Sequence, residues 1–499
     1  MKTTDAETLR QIGLKDATKI LGLVLLAYYG IKILRSLWVG LTGPLSKVPG
    51  PFLNRFTGWA WIITVLRGKS SAYCIEYPKR YGDVIRVAPD HVLVSNKEAI
   101  HQIILEKDLR KSVVYEKFRQ DRDVATIFTI LDKSEYRTRR RLLSQGFSVS
   151  YIKGLEPLML NCIRDLEEVI DERIKTAGRK QTEIDVWQLL GSLTSDIMSE
   201  TSFGGSFKLV KNGDHPIRRR IADNVKRNAL YQTMPWLRKI PFAPAHHDPE
   251  LKRLINEIIA RRRAVDEKMA KPDILQLLLD THDQNPDEFS DRSLIAEMLL
   301  FMMAGSETTA STLIFTFTYL MDDPATYARL VEEVREVFPY ADSLVTNEQT
   351  VNMPFLNAVL KETLRLRAPA ASGLWRQTDE DIILAGFVLP AGTRITANTT
   401  PLHLNESEWP DAEEFVPDRW LSEYKGVTAA EKTAWYPFSA GSRNCLGKQF
   451  AWNELRLVLA SILRRYDLFP IEGQSLEMID LLVLHLKSRK FMVGVRPRA

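Results

Sequence analysis

The sequence predicts a mainly α-helical fold with a small β region. Helical periodicity dominates from about residue 98 to residue 338, and one stretch within it, Asp291 to Met321, is apolar on nearly every side. A helix that is apolar all round is buried at the centre of a domain. Short β-rich pieces between turns occur near the start of the globular part, from Ile382 to Asn398, and at the C-terminal end. We therefore expect one large helical domain with a few small sheets.

An apolar run near the N-terminus predicts a single membrane anchor. Ile20 to Ile31 is apolar, and continuing to Leu41 gives the roughly 20 residues that span a bilayer. Lys32 and Arg35 share one helix face and can reach the headgroups. Three prolines then end the helix and stiffen the chain: Pro44, Pro49 and Pro51. We expect an N-terminal segment 1–41 with the anchor at about 20–41, a proline-rich hinge 42–51, and a single domain 52–499.

Local signals predict the bounds of several elements in the globular part. Val84 to Val87 and Val92 to Val94 flank a turn and predict a hairpin. The longest helix should run from about Asp291 to Met321. A further helix should begin at a cap on Asn352, with Pro354 in its first turn, and end near Leu366. The last helix should run from Leu446 to about Arg465.

Composition and charge exclude several classes of protein. The 499 residues carry a net charge of +5, which does not indicate a nucleic-acid partner. The three cysteines, Cys74, Cys162 and Cys445, are odd in number and far apart, which excludes a disulfide framework and a cysteine-clustered zinc site. None of the eight histidines forms an H-x-x-x-H pair, so a zinc hydrolase lacks its ligands. We expect at most one cysteine to do chemistry.

A loop near the C-terminal end carries the strongest chemical signal. It matches F-x-x-G-x-R-x-C-x-G at all five fixed positions, and chance gives such a match on the order of 10⁻⁴ times over a chain of this length. Gly441 and Gly447 are expected to permit a positive φ and a close backbone approach. Cys445 lies where the loop becomes a helix, and helix N–H groups favour a thiolate there. Such a thiolate is a good axial ligand for haem iron, and Arg443 can reach a haem propionate.

The alternative for a cysteine in this setting is a buried structural thiol in a glycine-rich turn. That interpretation is preferred for Cys74 and Cys162, which have no such motif around them. It is disfavoured for Cys445 because all the motif positions match.

The stretch Pro437 to Arg456 resembles the cytochrome P450 family, and its fungal microsomal members in particular. The resemblance covers about Leu45 to the C-terminus, and the anchor and the Pro-Gly-Pro hinge also fit it. It implies the cytochrome P450 fold and haem b, iron protoporphyrin IX, with Cys445 as the axial ligand of the iron. Phe438 and the two loop glycines would then lie against the cofactor.

Glu362 and Arg365 form the family's E-x-x-R motif. The two residues are three apart on one helix face and can bond directly, although surface pairs at this spacing are common. The resemblance implies that the pair is buried and that Arg419 completes it. The implied role is structural.

The predicted central helix contains a polar stretch, Ala304 to Thr309, that is unfavourable in a helix interior. The resemblance implies a distortion that leaves room for dioxygen beside Ala304, with Thr308 taking part in its activation and Glu307 relaying protons. The alternative is a bend made by threonine hydroxyls bonding to the preceding turn. Without Cys445 the two interpretations have equal weight.

Two further arginines match family positions that bind haem propionates. Arg140 lies four residues after an aromatic position that Tyr136 occupies in place of the usual Trp or His, and Arg376 follows Gly373. On the sequence alone, either arginine could be a surface charge.

These residues predict a haem-thiolate monooxygenase that inserts one oxygen atom from O2 into a lipophilic small molecule, with fungal secondary metabolism as the associated setting. The resemblance implies electrons from NADPH through cytochrome P450 reductase, with cytochrome b5 as a further partner. It also implies an endoplasmic reticulum membrane location with the catalytic domain facing the cytosol. Four segments are expected to form the substrate walls: Val113 to Ile130, Leu300 to Met303, Ala370 to Leu374 and Leu481 to His485.

Two alternatives on the same fold remain open. One is an isomerase or dehydratase that needs no external electrons, and the other is a non-enzymatic haem sensor or carrier. Neither needs a proton relay, so Glu307 and Thr308 argue against both.

Overall fold

The computed structural model describes residues 4–498 except 122, 179, 214, 218, 221, 222, 224–226, 228, 229, 232, 233, 235, 238, 239, 241–247, 265–272, 423–430 and 432. The helices of the described part are α1 Thr4–Thr42, α2 Trp59–Leu66, α3 Ser70–Tyr81, α4 Lys97–His101, α5 Lys133–Ser144, α6 Val149–Thr176, α7 Val186–Ser202, α8 Leu209–Asn212, α9 Pro249–Arg263, α10 Ile274–Gln284, α11 Asp291–Asp322, α12 Pro324–Val337, α13 Asn347–Thr350, α14 Pro354–Leu366, α15 Thr399–His403 and α16 Lys448–Arg465. The prediction of a mainly helical fold is confirmed.

Eleven strands among the described residues form four small sheets. They are β1 Val84–Ala88, β2 His91–Val94, β3 Thr182–Asp185, β4 Leu374–Gln377, β5 Ile382–Leu384, β6 Phe387–Leu389, β7 Arg394–Ala397, β8 Tyr466–Pro470, β9 Met478–Asp480, β10 Leu484–Leu486 and β11 Met492–Pro497. The largest sheet has the order β1-β2-β7-β4, with β2 and β7 parallel and its other pairs antiparallel. The predicted hairpin is its β1–β2 pair. The remaining sheets are β3-β11-β8, β5-β6 and β9-β10.

Helix α11 is the buried axis of the helical part, as its apolar surface predicts. The side chain of Ser290 accepts from the N–H of Ser293 at 3.2 Å and begins the helix, and Asp323 ends it. Gly305 allows α7 to cross close by, because a Cβ at this position would lie 2.4 Å from Sδ of Met198. One large hydrophobic core surrounds α11, and a second core lies around the β1-β2-β7-β4 sheet.

The N-terminal helix is longer than predicted. We expected α11 to be the longest helix, but α1 has 39 residues and α11 has 32. Helix α1 extends because its polar first half contains good helix formers and no proline. Two helices of the described chain are long and apolar enough to cross a membrane, namely Gly22–Thr42 with none of it buried and Asp291–Asp322 with 67% buried in the core. Only the first has a free apolar surface.

The start of α14 also differs from the prediction. The helix begins at Pro354 with Met353 in the cap position, so Asn352 is not its cap. The carboxylate of Glu333 on α12 accepts the N–H groups of Phe355 at 2.8 Å and Leu356 at 2.7 Å. A side chain from another helix therefore satisfies the free N–H groups that a local cap usually satisfies.

Candidate active site

The cysteine loop has a positive φ at one of the two glycines for which it was expected, Gly441, and also at Ser439. Gly441 has φ +69°, and a Cβ there would lie 2.6 Å from the carbonyl oxygen of Ile104. Ser439 also has a positive φ, +58°. Gly447 has φ −81°, so the expectation of a positive φ at this position was wrong. It directly precedes α16.

The thiol of Cys445 lies at the start of α16 and borders open space. Its backbone N–H donates to the carbonyl of Phe438 at 2.9 Å, which fixes the turn. Solvent can reach the side chain, although protein atoms surround it and burial raises the pKa of the thiol. The N–H of Gly447 and the charges of Arg140 and Lys448 oppose that rise. The hydrogen bond from the N–H of Gly447, at the start of α16, therefore favours the thiolate form, while burial opposes it.

One face of α11 is open in the middle of a buried helix. Ala304 and Glu307 are exposed and Thr308 is half-buried, whereas residues 293–299 and 309–318 are buried. The hydroxyl of Thr308 donates to the carbonyl of Ala304 at 2.7 Å, and the helix stays α-helical throughout. The bonding of the hydroxyl to the preceding turn, which the sequence left as an alternative, is therefore present, and α11 has no break at this stretch. The oxygen of Thr308 keeps its lone pairs to accept a hydrogen bond.

Phe147 connects the cysteine loop to this helix. Its ring lies against Gly447, where a Cβ would be 4.0 Å from Cε1, and it makes an edge contact with the ring of Phe301 at 5.2 Å. Phe301 lies one turn before the open face of α11. Phe438 and Leu446 pack on the same core cluster. The loop thiol and the polar stretch of α11 therefore lie in one neighbourhood, although more than 100 residues separate them in sequence.

Four basic side chains converge beside the loop: Lys111, Arg140, Arg376 and Arg443. Burial lowers the pKa of Lys111 well below its ordinary value, and Arg443, Arg376 and Arg140 lower it further. Burial and then Arg376 lower the pKa of Arg443. Nε and Nη1 of Arg443 are buried and have no hydrogen-bond partner in the described structure. Buried cations that repel one another and have unused donors form a site for an anion.

Arg140 is already engaged with the cysteine loop. Its Nη1 donates to the carbonyl of Asn444 at 2.9 Å and to the hydroxyl of Tyr136 at 2.9 Å, and its Nη2 bonds to the side chain of Asn444. The aromatic position that departs from the family pattern therefore carries a phenol that bonds directly to this arginine. Arg376 on β4 is buried, and its guanidinium donates to the carbonyl of Trp375 at 3.1 Å.

Sequence reasoning missed Lys111. It is 6% exposed, and its Nζ donates to the carbonyls of Ile127 at 2.8 Å and Phe128 at 3.0 Å. A β-bridge between Lys111 and Arg376 places the two cations side by side. No local signal marks this lysine, because the polar stretch around it has the composition of a surface turn.

The three motif residues of the E-x-x-R region meet in a fully buried cluster. Oε1 of Glu362 accepts from Nη2 of Arg365 at 2.7 Å and from Nε of Arg419 at 3.0 Å, and Oε2 accepts from Nε of Arg365 at 2.9 Å. Each guanidinium also donates to backbone carbonyls of residues 403–414. The cluster joins α14 to the chain that leads into the cysteine loop.

Two of the expected substrate walls contact α11 at different points along it, and a third adjoins one of them. Oγ of Ser311 donates to the carbonyl of Leu484 at 2.5 Å, and the N–H of Leu484 donates to the carbonyl of Pro369 at 3.0 Å. Segments 481–485 and 370–374 therefore adjoin each other beside the helix. Segment 113–130 reaches α11 through the backbone N–H of Ile127, which donates to Glu297 at 2.7 Å.

The residues present fit an iron porphyrin with two carboxylates. A solvent-accessible thiol supplies a soft ligand for iron. The cation group has buried guanidinium nitrogens without partners, which suits propionates. The bare face at Ala304 leaves room for a flat group beside the helix.

Comparisons with known proteins found a family model and relatives that match most of the chain. The sequence model of the family Cytochrome P450 matches residues 49–495. Cytochrome P450 monooxygenase acrD from Aspergillus aculeatus is 36% identical over 491 residues, which cover 97% of each chain. Cytochrome P450 monooxygenase LUC2 from a Fusarium species is 33% identical over 463 residues, which cover 91% of this chain and 89% of that one.

Solved structures show the same fold. The crystal structure of a cytochrome P450 named CYP102L1 superposes with a TM-score of 0.74 at 23% identity, covering 86% of this chain and 94% of that one. The haem domain of cytochrome P450DA superposes with a TM-score of 0.72, also at 23% identity, covering 82% and 88%. At this identity the likeness concerns the fold alone.

Proposed function

Because the chain belongs to the cytochrome P450 family, we propose that it is a haem-thiolate monooxygenase that inserts one oxygen atom from O2 into a lipophilic small molecule. The observation that carries this proposal is the placement of Cys445, a reachable thiol at a helix start beside a group of buried cations. The curated relatives are named monooxygenases and come from fungi. We place the reaction in fungal secondary metabolism.

The cofactor of this proposal is haem b. The bound iron porphyrin supplies the activation of dioxygen with two electrons, which reach it from NADPH through a reductase. Cys445 holds the iron through its thiolate. Lys111, Arg376 and Arg443 hold the propionates, and the unpartnered nitrogens of Arg443 support that role. Arg140 positions the loop through Asn444.

Insertion of one oxygen atom releases the other as water and therefore consumes two protons. Glu307 is exposed on the open face of α11 and can hold and release a proton there. The Thr308 hydroxyl donates its hydrogen bond to the carbonyl of Ala304. Its oxygen is therefore oriented to accept a hydrogen bond from the reacting side. We assign proton relay to Glu307 and orientation of the relay to Thr308.

A basic face on α5 suits the redox partner. Lys133, Arg137 and Arg141 follow one another at intervals of four residues and share one side of the helix. Arg137 and Arg141 are exposed. Arg140 lies three residues after Arg137, and therefore next to it on the helix surface, and it bonds to the cysteine loop. We propose that an acidic reductase docks on this face, close to the iron ligand.

We propose that α1 anchors the protein in the endoplasmic reticulum membrane, with the catalytic domain on the cytosolic side. Its last turns are tied to the globular part, because Nη1 of Arg86 donates to the carbonyl of Gly40 at 3.3 Å and Oγ of Ser36 donates to the carbonyl of Phe56 at 3.4 Å. Large apolar side chains are exposed along residues 23–41 of this helix. They include Leu26, Ile33 and Trp38.

The direct test is the reduced-CO difference spectrum of the full chain in detergent or nanodiscs. We expect the Soret band that thiolate ligation gives in this family, and we expect Cys445→Ala to lose it. Cys162→Ala is the matched control, because it also removes one thiol, but a buried one that faces the core. A spectrum without that band in the wild type, or one that survives in Cys445→Ala, refutes the proposal.

A second measurement separates the monooxygenase from an isomerase. With a lipophilic test compound that shifts the haem spectrum, oxygen consumption should require both NADPH and reductase. Conversion of the compound without electrons would favour the isomerase.

A further inference from the structure

Glu297 is a buried carboxylate that the proposed reaction does not use. It lies on α11, fully buried, and its Oε1 accepts from Nη1 of Arg139 at 2.9 Å and from the backbone N–H of Ile127 at 2.7 Å. Its Oε2 is buried and has no hydrogen-bond partner among the described residues. Glu297 precedes Ala304 by seven residues and Thr308 by eleven, so the three side chains share one helix face.

The peptide that Glu297 holds is held on its other side by Lys111. Nζ of Lys111 donates to the carbonyl of Ile127 at 2.8 Å and to that of Phe128 at 3.0 Å. A carboxylate therefore binds the N–H of Ile127 and an ammonium binds its C=O. The two charges attract each other across this residue.

Both charged groups are expensive to bury, so their position calls for an explanation. Burial raises the pKa of Glu297 to about 7 against the charges of Arg139 and Lys111, which lower it. Removing an ionised group from water costs several kcal/mol, and partial pairing does not offset the whole of this penalty. Hydrogen bonds from a charged group to a backbone group are stronger and more directional than neutral ones. What these charges secure here is the placement of one backbone segment.

We propose that Glu297 and Lys111 are positioning residues that clamp Ile127 from both sides and hold segment 124–130 against the face of α11 that leads to Ala304. This proposal rests on the proposed function, because it makes segment 124–130 a wall of the substrate site. It also connects that wall to the cofactor, since Lys111 belongs to the cation group assigned to the propionates. An anion bound at those cations favours the charged form of Lys111 and so tightens the clamp.

Arg139 and Ser293 complete the surroundings of the clamp. Nη1 of Arg139 also donates to the carbonyl of Ala125 at 3.2 Å, and its Nη2 donates to Oγ of Ser293 at 3.4 Å. Within the segment, the N–H of Thr126 donates to Oγ1 of Thr129 at 2.9 Å. The segment is thus a compact turn whose outer attachments are made by Glu297, Arg139 and Lys111.

Hydrogen exchange of the full chain tests the clamp directly. Peptides that span 124–130 should exchange at least fivefold faster in Glu297→Gln, which keeps an acceptor oxygen but removes its charge, and faster still in Glu297→Leu, which removes both. Lys111→Met does not touch the N–H of Ile127, yet it should accelerate exchange of the same peptides. Lys111→Arg keeps the charge and should restore protection.

The double variant distinguishes a clamp from two separate packing contacts. If the two residues act on one peptide, the combined acceleration in Glu297→Gln with Lys111→Met is smaller than the product of the single effects. Glu477→Gln is the matched control, because it makes the same chemical change at a side chain that is 56% exposed. Exchange within twofold of the wild type in both Glu297 variants overturns the proposal. So does a Lys111→Met variant with unchanged exchange.

Azole binding tests the consequence for the substrate site. Imidazole reaches the iron without filling the pocket, whereas clotrimazole carries a bulky triaryl group that must contact the walls. Glu297→Gln should weaken clotrimazole binding at least fivefold and leave imidazole binding within twofold. Equal effects on the two ligands, or none on clotrimazole, overturn the assignment of segment 124–130 as a wall. A wild type without thiolate-ligated haem refutes the proposed function instead, and the exchange measurement stays independent of that outcome.

Discussion

The buried cluster around Glu362 allows a sharp prediction for Glu362→Gln. Five donors converge on this carboxylate: two nitrogens of Arg365, Nε of Arg419, the N–H of Val416 at 3.0 Å and Nε1 of Trp420 at 2.8 Å. The side chains of the three charged residues are all inaccessible to solvent. An amide offers one oxygen and places an N–H₂ group where the other oxygen accepted hydrogen bonds.

The magnitude follows from these contacts. Removing the anion leaves two buried guanidinium groups without a counter-charge, which costs about 3–5 kcal/mol. At least one buried donor then also lacks an acceptor, which adds about 1–3 kcal/mol. The expected loss is therefore about 5 kcal/mol, comparable with the whole stability of many domains, about 5–15 kcal/mol. We expect Glu362→Gln to accumulate as a chain that neither folds stably nor retains haem.

The assay is chemical denaturation of the detergent-solubilised chain, read by fluorescence and by haem content. The control is Glu477→Gln, because Glu477 and Lys487 form an ion pair at 2.8 Å whose side chains are both 56% exposed. That change should cost less than about 1 kcal/mol. If the denaturation midpoint of Glu362→Gln lies within experimental error of the control, the reasoning about this cluster is wrong.

Three further changes test other parts of the structure. Gly441→Ala should cost about 2–4 kcal/mol and reduce haem retention, because φ is +69° and the new Cβ meets the carbonyl of Ile104 at 2.6 Å; unchanged thermal unfolding and haem content would contradict this. Gly305→Ala should cost about 1–3 kcal/mol through its clash with Met198, and the same change should cost much less in a Met198→Ala background, as thermal unfolding of the single and double variants will show. From about pH 5 to pH 8 the free energy of unfolding of the wild type should fall by about 2.5 kcal/mol relative to that of Glu297→Gln. The reason is that the pKa of the Glu297 carboxyl is about 7 in the folded protein and has its ordinary value of 4.5 in the unfolded chain. Parallel pH profiles of the two proteins would exclude a raised pKa at Glu297.

The central helix and the cysteine loop are the parts of this protein that local sequence predicts well. The start of α11 at Asp291 was predicted correctly, and its end lies one residue beyond the predicted Met321. An all-round apolar surface and polar capping residues are local signals, so no knowledge of the neighbours is needed to recognise them. The cysteine motif is equally local, because its residues lie within ten positions of the chain.

Predictions from local sequence fail where a side chain distant in sequence makes the hydrogen bonds that a local residue was expected to make. Glu333 satisfies the first N–H groups of α14, and Asn352, a good cap by type, is not used. Gly447 resembles a second strained glycine of the loop, yet its φ is ordinary and Ser439 takes a positive φ instead. At α14 the contact with Glu333 satisfies the helix start, and the preference of Asn352 for a cap position has no effect.

The chain itself specifies a membrane-length helix, a buried central helix and one cysteine in a strained loop, because hydrophobic periodicity and glycine positions act over short distances. Only the folded structure decides that Lys111 joins Arg376 and Arg443, and that Glu297 meets Ile127 across 170 residues. The physical reason is that the pKa and the hydrogen-bond partners of these charged side chains depend on their burial and on the groups packed around them. Burial belongs to the assembled fold, and in the sequence the stretch around Lys111 has the composition of a surface turn.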